Sequence, residues 1–368
     1  MLEAVVTHGS RTRRELESDT KLSRMTLSTI VGELRLRGVL SEENQEYYGT
    51  GRNGRPTKVL SLNPQVGAAV GIELGKRRIG ITVLGFDAKP VVQEHQAIGT
   101  DLSVNDKVAF AAAMIQDLMR AGRINPDTVI GMGVGVASRH ANPDSLSDGE
   151  ELQRDPQGAS MAPLRAKIPA PLLWDNNIRL AAMAYGKDSN ELLYVVLSAG
   201  VSSAIVTKGN LLRGRNGIAG ELGHVSVDFA GAPCWCGRHG CLESFLNETN
   251  VLIEAAHRGQ AFPSIAALAA AAADGNGIAC NIVAWAGELL ARAVVNACVL
   301  LDPGRVVIAG ELSQFGEPLL QPLRKALAEQ RLGLEAHAAQ ISTAPYAPTA
   351  GSDGAAYLAL RHWALSGV

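Results

Sequence analysis

The sequence predicts a mixed α/β protein headed by a small, separately organised helical module. Three observations carry that prediction. Apolar strands alternate with helical stretches from about residue 67 onward, the pattern of layered α/β folds. Residues 1–60 read instead as three short helices and a hairpin, with ten Lys/Arg against eight Asp/Glu, whereas the rest of the chain is net −4. Asn63-Pro64-Gln65 stands between the two parts as a hinge, because proline and the residue before it disfavour helix. Composition agrees: 46% hydrophobic and 19% charged residues in a chain of 368 exclude the disordered class, and the 39 glycines follow no collagen-like period. With aromatics at 4%, the core must be built from Ala, Val, Leu and Ile.

In the head, residues 1–8 form a short apolar helix. Thr12 with Glu15 three residues on is a capping box that opens a second helix. After a turn over 19–22, Ser23 caps a third helix over 24–37. It carries Leu27, Ile30, Val31 and Leu34 on one face, with Arg24, Thr26, Ser28 and Thr29 outside that face, and Gly38 ends it. Stretches 39–48 and 57–62 read as strands joined by the Gly/Arg loop 49–56. This is the outline of a winged helix-turn-helix. The start of its third helix offers Arg24, Thr26, Ser28 and Thr29 to base edges, and Arg52 and Arg55 of the loop suit a minor groove. The bland alternative is a module for protein contacts with a solvated face; the Gly-Arg-Asn-Gly-Arg-Pro loop favours nucleic acid.

Beyond the hinge, strands are expected at 70–75, 79–83, 129–136, 172–174, 192–197, 204–207 and 305–309. Helices are expected at 108–121, 178–185, 278–301 and 354–363, with a tightly packed Ala-rich helix at 265–273. A net charge of −2 argues against a wholly basic nucleic-acid coat while leaving room for a basic module. No unbroken apolar run approaches about 18 residues, so no membrane span is expected. Acids and arginines in MLEAVVTHGSRTRRELE occupy the place of an export signal's apolar stretch, so a cytoplasmic protein is expected.

Five cysteines, three of them clustered, argue for metal over a disulfide framework. His224, Cys234, Cys236 and Cys241 offer one nitrogen and three sulfurs, the closed set that structural Zn2+ favours. Gly237 and Gly240 permit the turns that converge three thiolates over eight residues. His239 is a rival ligand in the same loop, and Cys280 and Cys298 read as small helix residues.

The run Gly220-Glu221-Leu222-Gly223-His224, followed by Cys-Trp-Cys-Gly-Arg-His-Gly-Cys-Leu-Glu over 234–243, resembles the signature of the ROK family (repressors, open reading frames, kinases). The resemblance spans nearly the whole chain. It implies a winged-helix DNA-binding domain over 1–63. Over 64–368 it implies a two-lobed, actin-like domain of the ribonuclease H-like, sugar-kinase type, with a zinc loop at 224–241, which senses ligand and oligomerises. It also implies that Asn176, Asn177, Glu221, His224 and Glu243 bind a sugar, whose vicinal hydroxyls suit carboxylates, amides and imidazole. His224 would then serve metal with one ring nitrogen and sugar with the other.

Measured against the kinases of that family, the sequence departs wherever ATP chemistry is done. Their Asp-x-Gly-Gly-Thr phosphate loop here reads Glu73-Leu74-Gly75-Lys76-Arg77, and their second glycine-rich loop reads Ser198-Ala199-Gly200-Val201, with one glycine left. The catalytic base of an Asn-Asp pair is replaced in Asn176-Asn177, and an amide cannot take a hydroxyl proton. Ala309-Gly310-Glu311 puts a carboxylate at the adenosine side. Ser138, Arg139 and His140 stand where family members usually carry a Gly-Pro turn; they form either a plain surface loop or a segment that reshapes the ligand pocket. The expectation is a sugar- or sugar-phosphate-responsive regulator, a repressor, that is not an enzyme and binds operator DNA as a homodimer or homotetramer. The alternatives are an ATP-dependent sugar kinase carrying a DNA-binding head, and a zinc-stabilised scaffold.

Overall fold

The computed structural model describes residues 1–44, 58–137, 160–186, 191–329, 339–344 and 349–366. They fall into two compact units, 1–188 with 348–368, and 189–347. The head belongs to the first unit. Helix α1 (Leu2–His8) is followed by strand β1 (Arg11–Thr12), α2 (Arg13–Thr20) and α3 (Arg24–Leu36). The capping box forms as expected, with Thr12 Oγ1 accepting from Glu15 N and Glu15 Oε2 accepting from Thr12 N (2.8 Å). Leu27, Val31 and Leu34 bury one face of α3, while Ile30 is only half-buried. Strands β2 (Leu40–Asn44) and β3 (Lys58–Leu62) pair antiparallel, and β1 adds to the other edge of β3. The rest of the expected hairpin, with Arg52 and Arg55, lies outside the described residues, as do Ser138, Arg139 and His140.

The remainder of the first unit is a five-stranded sheet ordered β6-β5-β4-β7-β8: β6 Pro90–Ala97, β5 Arg78–Gly85, β4 Ala68–Leu74, β7 Val129–Val136 and β8 Leu172–Asn176. β6, β5 and β4 run antiparallel; β4, β7 and β8 run parallel. Helix α4 (Val104–Arg120) starts four residues before expectation, because Ser103 and Asp106 make a second capping box there. A short α5 (Ala162–Arg165) precedes β8, and α6 (Asn177–Gly186) follows it.

Strands β4 and β7 are almost wholly buried, which is why they read as continuous apolar runs. β6 is not among the expected strands: of its eight residues only Val92 is buried, so it carries little apolar signal.

The second unit repeats that strand order in its own sheet, β11-β10-β9-β12-β13: β9 Glu191–Leu197, β10 Val201–Thr207, β11 Asn210–Leu211, β12 Arg305–Ala309 and β13 Gln340–Thr343. Again three strands are antiparallel, and the first of them leads to two parallel partners. Such a duplicated sheet is what a two-lobed fold of the expected class requires. Between β11 and β12 lie α7 (Glu243–Leu246), α8 (Glu248–His257), α9 (Ile265–Ala273) and α10 (Gly277–Leu301); α11 (Glu317–Ala328) follows β12. By length and composition α10 is apolar enough to cross a membrane, but more than half of it is buried within the protein. Ile282, Val283, Leu290 and Val294 place it in the unit's core.

The last helix, α12 (Ala350–Ser366), returns to the first unit and crosses β4 and β7 at backbone distance. A Cβ built on Gly71 would lie 1.9 Å from the Ser352 carbonyl oxygen, and one on Gly133 would lie 1.9 Å from that of Ala355. The glycines in these strands are therefore packing requirements. Ser352 and Thr82, both fully buried, hydrogen-bond at 2.9 Å, and Thr82 Oγ1 donates to Asp353 (2.6 Å). Farther along α12, Tyr357 Oη meets Thr7 Oγ1 (3.2 Å) and Arg361 holds Glu3. Helix α1, with Leu2, Val5 and Val6 buried, is thereby seated on α12.

Candidate functional site

The four expected metal ligands converge. Gly220 takes a positive φ of 89°, and Gly223 sits where a Cβ would come within 2.3 Å of the Val201 carbonyl oxygen. These two glycines let the short helical turn at 222–224 lie against β10 and present His224. Gly237 and Gly240 both adopt positive φ, and a Cβ on Gly240 would meet the Asp228 carbonyl at 1.5 Å, so the Cys loop can close only with glycine there. One ligand atom from each of His224, Cys234, Cys236 and Cys241 lies within 4.8 Å of the others. Cys234 Sγ is 3.7 Å from His224 Nδ1, and Cys236 Sγ is 3.6 Å from Cys241 Sγ.

The edge of a tetrahedron with metal–sulfur bonds of about 2.3 Å is about 3.8 Å, so these four residues fit a tetrahedral ion. In the protein alone, burial pushes the Cys241 thiol up to about 12, and the neighbouring thiols add to the shift. The Cys236 thiol is lowered, chiefly by a hydrogen bond from the Arg238 backbone. A bound cation would deprotonate both. His239 is exposed and stands outside the ligand group.

His224 Nδ1 faces the sulfurs, which leaves Nε2 for a second partner. The Trp235 ring packs edge-on against His224 at 4.5 Å, and its indole N–H donates to Glu243 Oε1 (2.9 Å). Glu243 Oε2 accepts from Val201 N (3.3 Å). The metal loop and two of the expected sugar contacts are thus joined through Trp235, a residue that sequence reasoning passed over. Its only signal was its place between two ligand cysteines. Glu221 stands at the start of the helical turn, half-buried.

In the first unit, Asn176 and Asn177 occupy the end of β8 and the start of α6. Asn176 Oδ1 caps α6, accepting from Ile178 N (2.8 Å). Asn177 is buried and its Nδ2 donates to the Leu74 carbonyl (3.4 Å). Asp175 points inward, fully buried, 3.7 Å from the buried Arg179 guanidinium, and so cannot stand in for a catalytic base one residue on. Glu73 is buried at the end of β4, its carboxylate 3.9 Å from Arg78 Nε.

On the head, Arg24, Thr26, Ser28 and Thr29 are all exposed on α3. Arg24 Nε lies 3.2 Å from Glu17, Thr26 Oγ1 meets Ser23 Oγ (2.9 Å), and Ser28 accepts from Arg13 (3.4 Å).

A duplicated α/β sheet with a His/Cys3 loop that fits a metal ion, in a chain that begins with three short helices and a small sheet, defines the two-lobed α/β fold class. The ROK family model matches residues 69–362, and the chain belongs to the ROK family. It is similar to the xylose repressor of Caldicellulosiruptor bescii, 25% identical over 353 residues that cover 89% of this chain and 86% of the relative. It is likewise similar to the DNA-binding transcriptional dual regulator NagC of Escherichia coli K12, 24% identical, covering 88% and 82%. Among solved structures, a ROK family transcriptional regulator described as a homolog of the E. coli MLC protein shares the fold with a TM-score of 0.74, at 21% identity and over 95% and 92% of the two chains.

Proposed function

We propose that the protein is a DNA-binding transcriptional regulator, acting as a repressor in the cytoplasm, whose operator binding is modulated by a sugar or sugar derivative. The observation that carries it is α3, whose buried Leu27, Val31 and Leu34 fix the helix while Arg24, Thr26, Ser28 and Thr29 face solvent at its start. These four read base edges, and Arg52 and Arg55 of the wing enter the flanking minor groove. Glu221, His224 and Glu243 hold sugar hydroxyls. His224, Cys234, Cys236 and Cys241 would hold zinc, which would fix the imidazole that meets the sugar. Phosphoryl transfer is lost, because Asn177 is an amide and Lys76 and Arg77 replace the Gly-Thr of a phosphate loop. Repression by a homodimer or homotetramer requires a two-fold operator.

The test is selection of bound fragments from random DNA, followed by fluorescence anisotropy on the selected site with and without a sugar panel. A palindromic site released or tightened by one sugar is expected. Binding that ignores sequence refutes the proposal.

A further inference from the structure

The solvent side of α3 carries a stripe that its polar residues do not account for. At about 100° per residue, Met25, Thr29, Gly32 and Leu36 fall within about 60° of arc. They lie opposite the buried Leu27, Val31 and Leu34, and all four are exposed, Met25 by 82% and Leu36 by 90%. A surface helix ordinarily fills that side with polar groups. Thr29 adds no donor to it. Its hydroxyl gives its proton to the Met25 carbonyl (3.2 Å), so a partner meets the Thr29 methyl and at most an acceptor.

Gly32, in the middle of the stripe, has no use inside the head. It is the ninth of 13 helical residues and its φ is not positive. A Cβ built on it meets nothing within 4 Å among the described residues. Glycine is the least favourable helix residue after proline, yet here neither backbone conformation nor packing calls for it. What its missing side chain leaves is room on the outside of α3.

Cations border the stripe. Arg24, Ser28 and Arg35 line one flank, and Thr26, Glu33 and Arg37 line the other. Arg13, Arg35 and Lys58 share the single carboxylate of Glu42, which leaves the first flank net positive. Glu33 is the only acid on α3. An apolar strip between cations matches the major groove of duplex DNA. Phosphates run along both sides of that groove, and the thymine C5-methyl is the apolar group on its floor. The groove is about 12 Å wide and a helix with its side chains about 10–12 Å across, so a bare position facing the floor lets the helix sit deeper.

We propose that Met25 and the methyl of Thr29 read thymine methyl groups in the major groove, and that Gly32 lets α3 approach closely enough for them to touch. The proposal rests on the DNA-binding function above and names bases that it selects. Four helical residues span about 6 Å, or about two base steps, so each half-site should hold two thymines about two steps apart. Leu36 lies about 16 Å from Met25 along the axis, past the few side chains by which a recognition helix touches bases.

The experiment uses the full chain and the site selected from random DNA, with each thymine replaced in turn by deoxyuridine, which removes only the C5-methyl. Fluorescence anisotropy at fixed salt is the readout. At two positions of a half-site the replacement should weaken binding about fourfold, the effect of one buried methyl. Met25→Ala should abolish one of these losses and Thr29→Ser the other, whereas Leu36→Ser should keep both. Gly32→Ala should slow amide exchange in α3 and yet weaken operator binding about tenfold or more, a split that a structural glycine would not give. Deoxyuridine without effect, losses that survive both Met25→Ala and Thr29→Ser, or a Gly32→Ala chain that binds as tightly as its parent each overturn the proposal. Self-association abolished by both Met25→Ala and Leu36→Ser, with deoxyuridine without effect, would make the stripe a protein-docking face instead. A selected site insensitive to deoxyuridine removes this reading alone; binding that ignores sequence removes the regulator with it.

Discussion

Replacing Cys236 by Ser should empty the metal loop without unfolding the unit that carries it. A serine hydroxyl stays protonated at neutral pH and is a poor zinc ligand, so three donors remain. Ordering the eight residues 234–241 costs at least about 8 kcal/mol of backbone entropy. Against this stand six backbone hydrogen bonds: Cys234 N to Arg238 O (2.7 Å), Gly237 N to Cys234 O (3.0 Å), Gly240 N to Ala232 O (2.8 Å), Val227 N and Asp228 N to Gly240 O (2.8 and 3.4 Å) and Ser244 N to Cys241 O (2.9 Å). At about 1 kcal/mol each they supply about 6 kcal/mol, and burying the thiols of Cys234 and Cys241 adds about 2 kcal/mol. The loop alone is therefore close to balance, and metal decides whether it stays ordered. The core of the unit, built on Leu193, Val195, Ile282, Leu290 and Ile308, does not depend on it. The assay combines zinc stoichiometry, circular dichroism, amide exchange over 232–243 and operator response to the effector. Zinc loss should come with fast exchange in the loop, near-native helix content and a weakened response, because Trp235 and His224 lose their setting. A zinc-free variant with a protected loop and normal response would refute the coupling, and global unfolding would refute the local ledger.

Three further expectations follow from the packing and the charges. Gly71→Ala should cost at least about 3 kcal/mol in denaturant unfolding, since the added methyl meets α12 backbone that no rotamer change can clear; a cost under about 1 kcal/mol would show α12 to be loosely seated. Glu42 is nearly enclosed by Arg13, Arg35 and Lys58. Burial raises its carboxyl, but the Arg13 hydrogen bonds and the three cations outweigh that and leave it below the ordinary 4.5. A lowered carboxyl stabilises above its unfolded value and loses that contribution as pH falls through the folded one, so Glu42→Gln should cost about 1 kcal/mol at pH 7. The cost should vanish on titration below pH 4.5; a pH-independent difference would contradict it. Arg24→Ala should lower discrimination between operator and random DNA by about 1–3 kcal/mol in anisotropy at fixed salt, whereas an equal loss on both would make Arg24 a phosphate contact.

Local signals made part of this molecule legible in its sequence. Thr12 and Glu15 announced the start of α2, and the period of Leu27, Val31 and Leu34 gave the buried face of α3. The metal loop was legible because its ligands fall within one 18-residue stretch, with glycines where positive φ is needed. What escaped was long-range or polar. β1 is two residues long and exists only because β3 pairs with it. α11 carries Pro318 and Pro322, which mask its period. The Asn177–Leu74 hydrogen bond joins residues 103 apart.

The central claim, that this is a sensor which no longer transfers phosphate, is tested most directly on one preparation of the full chain. The effector that shifts operator binding is incubated with ATP and magnesium, and its phosphorylation is measured beside its effect on operator binding. Operator binding should change with effector alone, unaltered by ATP, with no phosphorylated product above a no-protein control. ATP-dependent product that Asn177→Ala abolishes would contradict the account and make the protein a kinase with a DNA-binding head.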